Sequence, residues 1–452
     1  MTLLNELSAE VCQRARMSRD PRFDGRFFVA VKTTGIFCRP ICPANLPKEE
    51  NVEYFSSQAL AVSAGYRPCL RCRPESAPHS WAWKGAETTF LRALTLIEQG
   101  ELDGSLETLA SRLGISDRYL RQLFQRHLGM PPKQYAQIQQ LMFAKQLLHT
   151  IQISITEVAY ASGFQSTRRF NDAFQKLFRL TPTQVRRERA ALPSRNHLSL
   201  AFRGPFDWSH MLDFYRLRAI EGMELVDEQS YQRHFVLGEG TGWFKASMAQ
   251  SHLDIEFEME RLSDLRHLVA RLRRMFDLDA DLISIEAHLE QLAPGLVRRT
   301  GIRIPGVWNA WEAGVRAVLG QQVSVKAAIG QLNLLVSTLA ASEGSTRYFP
   351  TPEQVQMSDL SFLRMPERRK ETLKRLADYV RLHPMDSPMA WLSLSGIGPW
   401  TVDYAQLRGE SRSHCFLTGD LIVKKALAKF PQLTAESVAP WGSYATFHCW
   451  SH

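Results

Sequence analysis

No apolar run in the 452-residue sequence reaches the ~18–20 residues that a membrane helix needs. The opening stretch, MTLLNELSAEVCQRAR, lacks the basic start, apolar core and small-residue cleavage site of a secretory signal. Cysteine is scarce, seven residues in all, and four of them crowd between positions 38 and 72. These absences predict a cytoplasmic chain, where thiols stay reduced and clustered cysteines serve metals rather than disulfides. Another lack is regional. Residues 1–195 hold 27 Lys+Arg against 17 Asp+Glu, while the remainder holds 28 against 29. The whole net charge of +9 therefore comes from the first half. A basic half binds polyanions by releasing their counterions, and a soluble basic surface is the plainer alternative. The second half needs another way to hold a nucleic acid.

At 44% hydrophobic and 22% charged residues, the chain has the balance of an ordinary globular protein. Its length allows three or four domains at roughly 100–200 residues each. Residues 1–78 are rich in Cys, Pro and Arg, and residues 86–190 have helical periodicity throughout. The stretch ALPSRNHLSLAFRGPFDWSH (191–210) changes character like a linker. Alternation such as HLDIEFEME within 198–260 predicts strands, and helical patterns return after Val307. The predicted fold class is multidomain, mainly α with α+β parts, divided as 1–78, 86–190, 196–303 and 304–452.

Within 105–182 the sequence repeats. Leu106, Ala110 and Gly114 recur as Ile155, Ala159 and Gly163. Leu120, Phe124, Leu128 and Pro132 recur as Phe170, Phe174, Phe178 and Pro182. Each copy is a short apolar helix, a glycine that supplies positive φ, and a second amphipathic helix. That is helix-turn-helix grammar, against a plain helical repeat with no DNA role.

The four cysteines are spaced Cys38-x3-Cys42 and Cys69-x2-Cys72. Two close pairs can supply four thiolates to one tetrahedral Zn²⁺, which on spacing alone reads equally well as a structural knuckle. Arg39, Arg67, Arg71 and Arg73 flank them, a setting suited to phosphate. The segments DGRFFVAVKTTGIFCRPIC and GYRPCLRCRPE closely resemble the N-terminal zinc domain of Ada proteins, from about Asp20 to Glu75. The resemblance implies one Zn²⁺ held by Cys38, Cys42, Cys69 and Cys72, with Cys38 accepting a methyl group irreversibly from a DNA methylphosphotriester. A metal-bound thiolate is a nucleophile at neutral pH. Losing one thiolate charge to methylation should raise affinity for DNA. As a departure, the loop PANLPKE after Cys42 carries Lys48 as its only base.

The repeat resembles the helix-turn-helix units of AraC-type activators, and ASGFQSTRRFNDAFQKLFRLTPTQVRR resembles that family's signature region. The resemblance implies promoter DNA and RNA polymerase as partners. Recognition helices are expected to begin near Ser116 and Ser166, offering Arg118, Arg121 and Gln122, then Arg168, Arg169 and Asn171. Arginine reads guanine and asparagine adenine, although some of these contacts will reach only phosphate.

In WLSLSGIGPWTVDYAQL the pattern is helix, Leu-x-Gly-Ile-Gly turn, helix. Gly396 and Gly398 would let backbone N–H groups approach a phosphate ahead of a helix N-terminus, so a near-neutral domain can bind DNA. GIG alone is a weak signal. With GVRAVLGQQVSV before it and FLTGDLIVKK after it, residues 198–450 resemble the helix-hairpin-helix glycosylases of the DNA-3-methyladenine glycosylase II family. The resemblance implies an α+β subdomain followed by a helix-hairpin-helix domain, Asp420 as the catalytic carboxylate, and extrusion of an alkylated base into a pocket. Trp400, Tyr404 and Trp450 would wall that pocket, against simple core packing. Gln322 stands where a wedge would fill the gap left by the base, and Leu421 where an aromatic is expected. Residues 394–404 contain no lysine, so no Schiff-base lyase step is expected. Nor does the Pro-Cys-His-Arg core of a second Ada methyltransferase occur; Cys12, Cys415 and Cys449 look like buried apolar cysteines.

The sequence thus predicts a monomeric, DNA-binding fusion of sensor-activator and glycosylase. Two alternatives stand beside it: a regulator whose glycosylase-like half only clamps DNA, and a glycosylase merely targeted by its N-terminal half.

Overall fold

The computed structural model describes every residue except 1–6, 21–22, 70, 73, 75–80, 99, 101, 103–104, 152, 188–195, 340–341, 344–345, 385 and 452. Arg73 and the first residues of the expected linker, 191–195, thus lie outside the described residues. The chain forms two compact units, 1–136 and 137–452, divided inside the helix Pro132–Thr150. Among the described residues no helix is long and apolar enough to cross a membrane.

After the helix Ala9–Met17, the first unit forms a four-stranded sheet in the order Val52–Phe55, Phe28–Val31, Ile36–Cys38, Arg67–Pro68. The first three strands pair antiparallel, and the short Arg67–Pro68 strand joins parallel to Ile36–Cys38. Pro68 is tolerated because it sits on the sheet's edge, where no ladder needs its missing N–H. Alternation along the central strand buries both faces. Phe27 and Val29 pack with Cys12, Ala15 and Val52, whereas Phe28 and Ala30 pack with Phe37 and Ala61. Cys38 ends the strand Ile36–Cys38 and Cys42 follows a turn, while the second pair follows the parallel edge strand.

Both helix-turn-helix copies obey the same local rules. Ser116 and Ser166 cap the helices Asp117–Leu128 and Thr167–Phe178. Gly114 and Gly163 take φ of +68° and +86° in the turns. Ala110 and Ala159 are buried where the paired helices cross. The first copy packs on the helix Trp81–Glu98 through Phe90, Ala93 and Ile97.

The second copy lies in the second unit, which continues into a five-stranded antiparallel sheet. Its order is His197–Ala201, His252–Met259, Gly240–Met248, Ser230–Leu237, Glu224–Val226. In His252–Met259 the predicted alternation appears as Leu253, Ile255 and Phe257 inside, with Glu256 and Glu258 outside. Beyond the sheet the fold is helical around Ala310–Gly320, most of whose side chains are buried. This helix packs on Pro399–Gly409 through glycine: a Cβ on Gly409 would lie 2.6 Å from Ala310 Cα. The chain's last helix is Gly442–Trp450. The helix expected before the Gly-Ile-Gly turn is a 3-10 helix, Pro388–Ser393. Its proline lies at the start, where the missing N–H costs nothing.

Candidate active sites and nucleic-acid interface

The strand Ile36–Cys38 ends on Cys38, and edge pairing brings Cys69 alongside it through an N–H of Cys69 to Phe37 O at 2.9 Å. All four Sγ atoms lie within 4.8 Å of one another. Cys42 and Cys72 are buried, while Cys38 and Cys69 are partly exposed. Crowding forces the thiols apart in acidity. The Cys38 thiol is pushed up, first by its hydrogen bond to Cys72 and then by burial. The same hydrogen bond pulls Cys72 down to about 6. Four thiols so placed cannot all ionise without a cation among them, which is the donor set a Zn²⁺ fits.

Arg39 turns inward. Its guanidinium pairs with the buried Asp24 and donates to Cys72 O, while its backbone N–H donates to Cys72 Sγ at 3.3 Å. The side chain expected to contact phosphate therefore braces the cluster, because a buried aspartate is its nearer anion. Arg67 and Arg71 remain exposed. The loop after Cys42 is tied down from within: Arg16 pairs with Glu49 and donates to Pro47 O, and Tyr54 donates to Glu49 at 2.8 Å.

On the helices Asp117–Leu128 and Thr167–Phe178, Arg118, Arg121, Gln122, Arg168, Arg169 and Asn171 are all exposed, opposite the buried Leu120, Leu123, Phe124, Phe170 and Phe174. Arg121 shares its charge with Asp117 one turn away, at 2.7 Å.

In the Gly-Ile-Gly turn the two glycines differ. Gly396 takes φ +94°, and a Cβ there would lie 2.1 Å from Thr372 Oγ1. Gly398 has an ordinary φ, and a Cβ there would meet open space. Gly396 is demanded by the fold, and Gly398 leaves room for an approaching group ahead of the helix Pro399–Gly409.

Asp420 caps the helix Leu421–Lys429, its Oδ1 accepting from Ile422 N at 2.9 Å and Val423 N at 3.1 Å. Trp450 Nε1 donates to the same oxygen at 3.1 Å. Oδ2 takes no hydrogen bond among the described residues. Asp420 is partly exposed, not fully buried, because it lines a cavity of about 390 Å³. Trp400 and Tyr404 stack at 5.3 Å along another part of that lining. Trp450 lines it too, stacked on Phe214 at 6.2 Å. Val323 and Val325 line the cavity, whereas Gln322 lies exposed at φ +57°. Leu421 is 66% exposed, which leaves the next residue, Ile422, as the apolar lining contact.

The helix Trp208–Arg216 and the turn after it supply His210, Phe214 and Arg218 to the cavity. The sequence reading missed these, for nothing in an amphipathic helix nearly two hundred residues from the hairpin marks them. Arg218 stands 3.7 Å from the centre of the Phe214 ring, and burial pulls its pKa down to about 10. Arg316 also lines the cavity, but its charge is met in a buried quartet with Glu224, Arg233 and Glu312. Although burial pushes the Tyr404 phenol up, Arg408, Arg218 and Arg316 together bring it below its ordinary value.

Three family models match: the metal-binding domain of Ada over residues 11–75, a helix-turn-helix domain over 109–188 and the AlkA N-terminal domain over 197–309. A Mycobacterium tuberculosis protein named "Probable bifunctional transcriptional activator/DNA repair enzyme AlkA" is 34% identical over 98% of this chain and 96% of its own length. Escherichia coli DNA-3-methyladenine glycosylase 2 is 34% identical over 56% of this chain and 96% of its own length. The E. coli bifunctional transcriptional activator/DNA repair enzyme Ada is 36% identical over 38% of this chain and 47% of its own length. With its thiol cluster, paired helix-turn-helix units and carboxylate-lined cavity in one polypeptide, the chain belongs to the family of AlkA-type bifunctional transcriptional activators and DNA repair enzymes.

Proposed function

We propose that this chain senses alkylation of the DNA backbone through Cys38, activates transcription of repair genes, and excises alkylated bases such as 3-methyladenine through Asp420. The observation that carries the excision reading is the Asp420 carboxylate: one oxygen is fixed by three donors, and the other is left free at an aromatic-walled cavity.

Cys38, Cys42, Cys69 and Cys72 would hold one Zn²⁺, which keeps the thiols ionised at neutral pH and so supplies a nucleophile. Cys38 Sγ attacks the methyl carbon of a methylphosphotriester. The methyl C–O bond breaks, and the phosphodiester leaves with the electron pair. Exposure favours Cys38 and Cys69 over the buried pair, and the resemblance to Ada selects Cys38. Each transfer removes one thiolate charge from beside Arg67 and Arg71, so DNA repulsion falls. Segment 1–78 is read as this methyl acceptor and 86–190 as the promoter-binding part, with Arg118, Arg121, Gln122, Arg168, Arg169 and Asn171 toward DNA.

Segments 196–303 and 304–452 are read as the two parts of the glycosylase. Gly396 and Gly398 receive a phosphate, and Gln322 enters the stack. Trp400 and Tyr404 receive the extruded base against their π faces. As the N-glycosyl bond lengthens, Asp420 Oδ2 meets the positive charge developing at C1′. Water completes the hydrolysis, since no hairpin lysine is available for a Schiff base. Trp450 acts through Asp420 as a positioning residue. RNA polymerase as activation partner, a monomeric state and a cytoplasmic location complete the reading.

Release of 3-methyladenine from alkylated duplex, measured for the wild type, Asp420→Asn and Cys38→Ser, tests it. Asp420→Asn should bind duplex normally and release no base. Unchanged release by that variant removes the excision mechanism. Mass spectrometry that places the acquired methyl on another cysteine removes the assignment of Cys38.

A further inference from the structure

The helix Ala310–Gly320 ends at Gln321, and the next residue, Gln322, holds φ +57° with its side chain exposed. A non-glycine residue in the left-handed region persists only where its surroundings hold it there. Gln321 supplies the hold. Its Nε2 donates to Gly396 O at 3.1 Å and to Thr401 Oγ1 at 3.2 Å, using both protons of the carboxamide. Gly396 is the positive-φ centre of the hairpin turn, and Thr401 is buried in the first turn of the helix that follows. The turn is in turn fixed from behind. Arg375 donates to Ser395 O at 3.0 Å, and Thr372 occupies the space under Gly396. One amide group therefore joins the tip carrying Gln322 to the turn that would receive a phosphate, although 75 residues separate them in sequence.

We propose that Gln321 is a positioning residue that couples the hairpin to the wedge, so that docking of the turn on the DNA backbone sets how deeply Gln322 enters the base stack. The proposal rests on the glycosylase reading of residues 196–452. Both Gln321 amide protons are committed within the protein, so the side chain has no donor left for a DNA phosphate.

The test uses the full chain with Gln321→Met, which keeps the shape of the side chain and removes both donors. Thr401→Val, which removes one acceptor, serves as a second variant. Three quantities are measured: single-turnover base release from methylated duplex, the rise in fluorescence of a 2-aminopurine placed beside the methylated purine, and Kd for undamaged duplex. For Gln321→Met, release and the fluorescence rise should each slow by about tenfold, the scale of losing two neutral hydrogen bonds, while Kd stays within about twofold. Thr401→Val should show a smaller loss of the same kind. Release and fluorescence within twofold of wild type would overturn the proposal. So would a Kd that weakens as much as release slows, because Gln321 would then merely support the hairpin. A wild type that extrudes the base but releases none would instead remove the glycosylase reading, while the fluorescence still judges the tether.

Discussion

Residues 1–195 and the remainder face the same polyanion with different equipment. The first stretch carries an excess of arginine and lysine, and Arg118, Arg121, Arg168 and Arg169 stand exposed on its helix-turn-helix units. The second is electrically balanced and offers a glycine turn, a helix N-terminus and the exposed, uncharged Gln322. Charge attached to flexible side chains attracts DNA at a distance and weakens with salt. Backbone dipoles act only in contact, and they demand an accurate turn. A region that must search for promoters suits the first means, and one that must grip a single nucleotide suits the second. On the proposed reading the reactive groups divide similarly: Cys38 would be consumed by its reaction, and Asp420 would pass through each turnover unchanged.

The sharpest break in this comparison is the pair Cys38→Ser and Asp420→Asn. Each should abolish one activity and leave the other at wild-type level, with base release falling at least ~10³-fold in Asp420→Asn. If either variant loses both activities, the two regions are not chemically independent. Next in size is Gly396→Ala. Its Cβ would strike Thr372 in a backbone already at φ +94°, so about 1–3 kcal/mol of strain is expected to distort the turn. Duplex affinity of the glycosylase activity, read as KM, should weaken by roughly tenfold or more. Gly398→Ala should leave stability nearly unchanged, since that site is open.

A smaller effect separates the two means of binding. Arg168→Ala and Arg169→Ala should each lower the slope of log affinity against log salt for promoter DNA by about one, without altering base release. An unchanged slope would place these side chains away from phosphate. The smallest expected effect concerns the second unit's stability. Burial raises Asp277 to about 7, against the partial help of Ile304 N–H and the Tyr444 hydroxyl. The unfolded chain therefore loses its Asp277 proton at lower pH than the folded one. This group's contribution to stability falls as pH rises from about 4 to about 7. Thermal denaturation of Asp277→Asn should show a flatter pH dependence across that window, and an unchanged slope would mean the proton is not where burial places it.

Much of the site was legible because its parts are local. Ser116 and Ser166 could be named as helix starts because a cap acts within three residues. Gly114 and Gly163 could be named because positive φ is a property of one residue. The inward pairing of Arg39 was not legible: Asp24 is fifteen residues away, and only the folded sheet sets it against the guanidinium. Trp450 was expected as wall, yet its indole also fixes Asp420 from thirty residues away.

By itself, then, the sequence determined which chemistries the chain carries: four thiolates at metal spacing, two helix-turn-helix copies, a glycine hairpin and one aspartate after it. Those signals survive in one dimension because caps, turns and ligand pairs need only neighbours. Tertiary structure alone decided which thiols lie open, that Arg39 braces the cluster instead of reaching out, and that Phe214 and Arg218 complete the cavity with Asp420. It also decided that one oxygen of Asp420 is left free and that Gln321 is hydrogen-bonded to the Gly-Ile-Gly turn. Each of these depends on hydrogen bonds or packing between residues far apart in the chain, which only the closed core brings within reach.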